Sequence, residues 1–178
     1  EIYLSILESL PNNNEAKQSA KSSIISGNLN TNESSSYSLL IGKENTIKLS
    51  GQSASLGEKN VLNNVNNSLA LGYGNSIMTD SDNIFISGIN NAVQTEAKNS
   101  IVSGDNNNLT GGKSNLIVGT SNVSTGDEDS IIGGKGNQTT SWKLNNVTGE
   151  FNVVNASESN LISGNLNSLT IGSNKNNV

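Results

Sequence analysis

Residues 38–75 read SLLIGKENTIKLSGQ, SASLGEKNVLNNVNN and SLALGYGN, and this stretch decides the fold. Each piece opens on serine and reaches a glycine four residues later, so the three glycines lie 15 residues apart. Three residues after each glycine stands an asparagine: Asn45, Asn60 and Asn75. A fixed short period indicates structural units that stack on one another. The stretch therefore predicts a solenoid with a 15-residue coil.

The same register extends over most of the chain. Ten glycines follow it, at intervals of 15 residues with two of 16: Gly27, Gly42, Gly57, Gly72, Gly88, Gly104, Gly119, Gly134, Gly149 and Gly164. All ten have asparagine three residues later: Asn30, Asn45, Asn60, Asn75, Asn91, Asn107, Asn122, Asn137, Asn152 and Asn167. Asparagine tolerates the left-handed turn conformation and can bond a turn amide, and a stacked column can also form an amide ladder. Both interpretations of the asparagine column remain open at this point.

Apolar positions predict two short strands in each coil. The position three residues before the glycine is apolar in nine of ten coils, with Asn146 as the exception. The position five residues after the glycine is apolar in seven, and the exceptions are Asn32, Ser124 and Thr139. Helical repeats need more than about 30 residues per unit, so 15 residues fit only short strands and turns. We predict an all-β parallel β-roll of about ten coils over residues 23–172.

The first strand is apolar on both faces. Side chains alternate across a strand, so the position two residues before the glycine points away from the position three before it. If the latter fills the core of the coil, the former lies on the outside and needs cover from another chain. We therefore predict an interface between copies at Ile25, Leu40, Ala70, Ile86, Val102, Ile117, Ile132, Val147 and Ile162.

The composition excludes several classes of function. The chain has no histidine, cysteine or arginine and a net charge of −5, which argues against His- or Cys-based catalysis, zinc sites and nucleic-acid binding. No apolar run is long enough to span a bilayer. The acidic clusters at Asp80/Asp82 and residues 127–129 are interpreted as solvated turns. We expect no enzymatic activity, no metal and no cofactor.

Several hexapeptides are similar to a motif of a known family. Asn67-Ser68-Leu69-Ala70-Leu71-Gly72 resembles the repeated Asn-Ser-Val-Ala-Ile-Gly motif of YadA-like heads of trimeric autotransporter adhesins, and residues 99–104, 129–134 and 167–172 are similar. The resemblance covers about residues 22–172. It implies a left-handed β-roll, a homotrimer, and display on the outer membrane of a Gram-negative bacterium. It also implies host ligands such as collagen, fibronectin or CEACAM receptors.

One departure from the family pattern concerns the residue before the glycine. Serine replaces the family's isoleucine at Ser26, Ser87, Ser103 and Ser163. The collagen preference of the family's founder is therefore not assumed for this chain.

We expect a non-enzymatic adhesin head that binds a host cell-surface or matrix protein. Residues 1–22 are predicted as an N-terminal cap or a receptor-facing tip. Residues 173–178 are predicted to lead toward a neck and stalk, through which the head would be anchored in the outer membrane. The alternative is an ice-binding or other structural solenoid, but the threonines are scattered and form no regular array.

Four large side chains interrupt columns that are otherwise polar or small, and they are the candidate ligand contacts. Tyr73 and Ile89 lie in a turn column that should face water. Trp142 lies in a column of mostly small residues, and Phe151 follows in the next turn. Large side chains of this kind anchor partners at binding surfaces, but they also pack against a neighbouring copy or fill a local defect.

Overall fold

The computed structural model of the chain is a parallel β-solenoid of two sheets. It describes residues 5–7, 13–17, 22–140, 143–155 and 160–169, and none of these residues is helical. Each sheet contains eleven strands, and every coil adds one strand to each sheet beside its copy in the preceding coil. Because parallel neighbours lie about 4.8 Å apart, the solenoid is roughly 50 Å long.

The odd-numbered strands form the first sheet, named sheet A here, and the even-numbered strands form sheet B. Sheet A contains β1 (Ser5–Leu7), β3 (Ser23–Asn28), β5 (Leu39–Lys43), β7 (Ala54–Glu58), β9 (Leu69–Tyr73), β11 (Phe85–Ile89), β13 (Ile101–Asp105), β15 (Leu116–Thr120), β17 (Ile131–Lys135), β19 (Asn146–Glu150) and β21 (Leu161–Asn165). Sheet B contains β2 (Glu15–Lys17), β4 (Thr31–Glu33), β6 (Thr46–Lys48), β8 (Val61–Asn63), β10 (Ser76–Met78), β12 (Ala92–Gln94), β14 (Asn108–Thr110), β16 (Val123–Thr125), β18 (Gln138–Thr140), β20 (Val153–Asn155) and β22 (Ser168–Leu169).

The 15-residue register of the sequence is the register of sheet A. Gly57 pairs with Gly72, and Gly72 with Gly88, although the second interval is 16 residues. The extra residues are absorbed after sheet B, where Thr79 and Thr95 adopt positive φ angles of 27° and 22°. The solenoid predicted from the period is thus confirmed. The two inserted residues lie in the same turn of two successive coils.

Each strand from β3 to β21 places one side chain at the centre of the core, and most of these side chains are large and aliphatic. The buried sheet A residues are Ile25, Leu40, Ser55, Ala70, Ile86, Val102, Ile117, Ile132, Val147 and Ile162. The buried sheet B residues are Asn32, Ile47, Leu62, Ile77, Val93, Leu109, Ser124, Thr139 and Val154. Each fully buried aliphatic side chain contributes roughly 1.5–3 kcal/mol, so the stability of the fold accumulates coil by coil.

The predicted interface residues are wrong, because they form the core of the single chain. The residues concerned are Ile25, Leu40, Ala70, Ile86, Val102, Ile117, Ile132, Val147 and Ile162, and each is at most 1% exposed. The two apolar faces of the first strand were therefore assigned in reverse. The face predicted to be internal, which begins at Ile24 and Leu39, is the outer one.

The asparagine ladder is present in full. The Asn107 side-chain amide donates to Oδ1 of Asn91 at 3.0 Å, and the Asn122 amide donates to Oδ1 of Asn107 at 3.0 Å. The same contact links the other neighbours in the column from Asn30 to Asn152, and Asn167 donates its backbone N–H to Oδ1 of Asn152. Of the two interpretations of the column, the ladder is confirmed.

The ladder also explains why glycine and asparagine occur together. Asn107 donates to the carbonyl of Gly119 in the next coil at 2.8 Å, and Asn45 donates to that of Gly57 at 2.8 Å. Gly104 adopts a φ of +113°, and a Cβ there would overlap the Gly119 carbonyl oxygen. The close approach of the two turns requires glycine, and it places the carbonyl where the asparagine amide can bond it.

The segment before residue 23 also contributes to the sheets. Strand β1 pairs with β3, and β2 pairs with β4, so residues 5–7 and 13–17 form a further coil in register with the repeats. The role of residues 1–22 as a cap or tip stays a prediction. Residues 173–178 lie outside the described part of the chain.

Candidate functional site

The candidate site is the outer face of sheet A, where two columns of side chains point away from the core. They are the positions three residues and one residue before each glycine, and thirteen of these twenty residues are apolar. We name them the apolar face: Ile24, Leu39, Ile41, Ala54, Leu56, Leu69, Leu71, Phe85, Ile101, Leu116, Val118, Ile131 and Leu161. Ile24, Ile101 and Ile131 are 49%, 45% and 45% exposed. A monomer rarely leaves so long an apolar row in water.

The outer face of sheet B is polar by contrast. From β4 to β20 only five of its eighteen outward residues are apolar, namely Val61, Met78, Ala92, Val123 and Val153. The face includes one column of three threonines, Thr110, Thr125 and Thr140. The two outer faces of the solenoid therefore differ in chemistry, although their strands have the same spacing.

Tyr73 and Ile89 widen the apolar face. They pair across β9 and β11, one residue after the glycines, and both side chains are exposed. The Lys59 ammonium group lies 5.3 Å from the Tyr73 ring centroid and 3.3 Å from its hydroxyl oxygen. Hydrogen bonding to Tyr73 raises the pKa of Lys59, and the nearby Glu44 carboxylate adds to this effect. The structure thus brings Tyr73 and Ile89 together on one edge of the solenoid, formed by the turns that follow the strands of sheet A.

The same edge contains ion pairs between neighbouring coils. Lys43 Nζ lies 3.6 Å from Glu58, and Lys59 Nζ lies 3.9 Å from Glu44. Exposed pairs of this kind are screened by water and contribute little to stability, so they support mainly the stacking register.

Phe151 lies on the same edge nearer the C-terminus, far along the solenoid from Tyr73. Its ring covers Gly136 in the preceding coil, where a Cβ would lie 2.7 Å from the ring carbons. Lys135 Nζ lies 5.7 Å from the ring centroid, and the ring is about half exposed. Trp142, the remaining candidate, lies outside the described residues.

Asn146 is the polar residue in the outer column that is otherwise apolar. It pairs with Ile131 on one side and Leu161 on the other. Its side-chain oxygen is buried and has no hydrogen-bond partner among the described residues. An unpaired buried amide oxygen costs about 1–3 kcal/mol, so a further hydrogen-bond donor to Asn146 would stabilise the protein.

Asp127 is not a solvated turn residue, which corrects the prediction for the acidic cluster at 127–129. The side chain is fully buried, and its carboxylate accepts hydrogen bonds from the hydroxyls of Ser124 and Thr139. The sequence contained a signal for this cluster. Ser124 and Thr139 are polar residues in an otherwise apolar core column, and they lie in the two coils next to Asp127. This cluster separates the main core from a second one formed by Val147, Val154 and Ile162.

Two features are absent from the described residues. No group of three or more carboxylate, histidine or cysteine side chains is placed there to hold a metal ion. No helix there is long and apolar enough to cross a membrane.

Comparison with known proteins does not identify a family for the chain. No protein-family model matches the chain, and no curated protein matches it in sequence. Among solved structures it is similar to one titled "Activity and Crystal Structure of Arabidopsis UDP-N-acetylglucosamine acyltransferase", at 8% identity and a TM-score of 0.28. The match covers 88% of this chain and 66% of that chain. A similarity at this level does not bear on the function of this chain.

Proposed function

We propose that the chain is the head of a non-enzymatic bacterial surface adhesin, in which three copies pack through the apolar face of sheet A. The exposed remainder of the solenoid then binds a host protein. The observation that carries the proposal is the difference between the two outer faces, apolar on sheet A and polar on sheet B. The number three and the location on the outer membrane come from the family resemblance.

The size of the apolar face suits a stable protein interface. Its two columns, with the flanking turn column, span roughly 50 Å by 14 Å, or about 700 Å². Specific interfaces bury roughly 600–1,000 Å² on each partner. The face is therefore large enough for an interface of this kind along its whole length.

The periodicity of the face favours another copy of this chain as its partner. Side chains such as Ile101, Leu116 and Ile131 recur at every strand spacing of a parallel sheet, about 4.8 Å. An identical solenoid lying parallel has the same spacing, so its rows can match these rows over the full length.

Host binding is assigned to the surface that such an assembly leaves exposed. Sheet B and the edge with Phe151 offer polar groups around a few large apolar side chains, a composition typical of transient interfaces. The family resemblance supports a CEACAM receptor, collagen or fibronectin as the ligand.

The host-binding proposal is tested by surface plasmon resonance against CEACAM ectodomains, collagen and fibronectin. We expect the assembled protein to bind at least one of them. We also expect Phe151→Ala, on the edge that the assembly leaves exposed, to weaken that binding tenfold or more. A folded, assembled protein that binds none of the three ligand classes would contradict the host-protein assignment.

A further inference from the structure

A periodic interface leaves the axial alignment of its partners undetermined. If two identical solenoids pack in parallel, a shift by one coil replaces Leu116 opposite Leu116 by Leu116 opposite Ile131, with nearly the same apolar contact. Repetition therefore stabilises several alignments to a similar extent. Some residue that differs from its equivalents in the other coils must select one alignment.

Asn146 has the properties needed for this selection. It is polar where the other nine coils have an apolar residue, and its side-chain oxygen is buried with no partner in the part of the chain that the structure describes. The neighbouring positions one residue before the glycine are small or hydroxylated, Gly133, Thr148 and Ser163, so no bulky apolar side chain stands at these positions. A donor on a second copy of the chain can supply the missing hydrogen bond.

We propose that Asn146 sets the axial alignment of a second copy packed on the apolar face, by hydrogen bonding to Asn146 of that copy. This inference rests on the self-association in the proposed function. In the aligned parallel arrangement the amides face each other and can satisfy one another. After a shift by one coil each amide faces Ile131 or Leu161 in an interface that excludes water, and its polar atoms stay unpaired. A single buried asparagine fixes register in coiled coils by the same principle.

An antiparallel arrangement does not provide this partner. Asn146 lies near one end of the solenoid, so reversing the second copy places it opposite coils near the other end, such as those of Ile24 and Leu39. The amide would then be covered by aliphatic side chains. The position of Asn146 therefore selects both the direction and the alignment.

Disulfide mapping tests the proposal, because the chain contains no native cysteine. Ser103→Cys and Val118→Cys place thiols in neighbouring coils of the apolar face, two or more coils from Asn146. The two variants are refolded together and equilibrated in a glutathione redox buffer, and mass spectrometry counts same-position and neighbouring-coil disulfides. With Asn146 present, we expect same-position disulfides to predominate.

Replacing Asn146 should allow the two copies to adopt other axial alignments. In an Asn146→Leu background we expect the ratio of neighbouring-coil to same-position disulfides to rise roughly tenfold. Asn108→Leu is the matched control, because Asn108 also has a buried oxygen with no partner among the described residues but lies on sheet B. That control should leave the ratio unchanged, and circular dichroism checks that each variant is folded.

Moving the asparagine should restore a single alignment. In the double variant Leu116→Asn/Asn146→Leu the polar residue lies two coils away in the same column, so same-position disulfides should predominate again. Self-association with equal ratios in all backgrounds would overturn the role of Asn146 and leave self-association standing. A folded monomer with no disulfides above those of a sheet B cysteine, Met78→Cys, would overturn both.

Discussion

At the scale of single residues, the ladder asparagine and the turn glycine act as a pair. Each ladder amide bonds the preceding asparagine, a carbonyl of its own coil and the glycine carbonyl of the next coil, as Asn107 does with Asn91, Ser103 and Gly119. The column is buried, so every lost bond leaves polar groups without water. This explains from physical chemistry why both residue types recur in all ten coils.

The ladder predicts a large cost for removing one asparagine. Asn107→Ala should lower the free energy of unfolding by about 2–4 kcal/mol, because it removes donors and acceptors that are buried on both sides. Asn63→Ala, on the outer face of sheet B, should change it by less than about 0.5 kcal/mol. Urea denaturation of both variants measures the difference. Equal effects of the two substitutions would contradict the structural role of the ladder.

At some positions glycine is required because neighbouring backbone lies too close for a Cβ atom. At others only the positive φ angle favours glycine. In Gly104→Ala the new Cβ meets the Gly119 carbonyl, so we expect a loss of about 3 kcal/mol or more. In Gly126→Ala nothing lies within 4 Å of the new Cβ, and only the φ of +70° is unfavourable, so the expected loss is about 1 kcal/mol. Thermal unfolding of the two variants gives the comparison, and a similar loss in both would show that the close approach is unimportant.

At the scale of the strand pair, the buried cluster around Asp127 joins neighbouring coils through β16 and β18. Ser124 and Thr139 both donate to the Asp127 carboxylate inside the core. A buried carboxylate is tolerated where hydrogen bonds compensate for its lost hydration. The three residues should therefore be energetically coupled.

A mutant cycle measures this coupling. Ser124→Val/Thr139→Val should destabilise the protein by about 3 kcal/mol or more, because the buried carboxylate loses two donors. Adding Asp127→Ser should recover part of that loss, since serine occupies the equivalent position in other coils, at Ser35 and Ser50. Additive effects of the substitutions in chemical denaturation would contradict the coupling.

At this scale the sequence correctly predicted the strands of each coil. It did not correctly predict which face of the first strand lies in the core. The period predicted the coils and the ladder column, because turn geometry depends on local residue types. The sides of the first strand were reversed, because Ile24 and Ile25 are equally apolar and their alternation does not say which is internal. The column before the glycine, which mixes Ile41 with Ser26 and Gly133, lies on the same side as Ile24, and that mixture is typical of a surface.

At the scale of the whole molecule, the account depends on self-association through the apolar face. The solenoid has a complete core of its own, so the fold of one chain does not require a partner. The proposed partner would cover only the outer face of sheet A. The reason to propose it is the apolar surface of that face, and not the fold of the chain. The sequence alone indicated an apolar strand face outside the core, and the structure places that face on the opposite side of the strand.

The most direct test is analytical ultracentrifugation at micromolar concentration, with wild type compared to Val118→Lys on the apolar face and Thr125→Lys on sheet B. Both substitutions place a lysine at an exposed position in the same coil, on opposite sides. We predict that wild type and Thr125→Lys sediment as trimers and that Val118→Lys dissociates while remaining folded. A wild-type protein that sediments as a folded monomer would contradict the account.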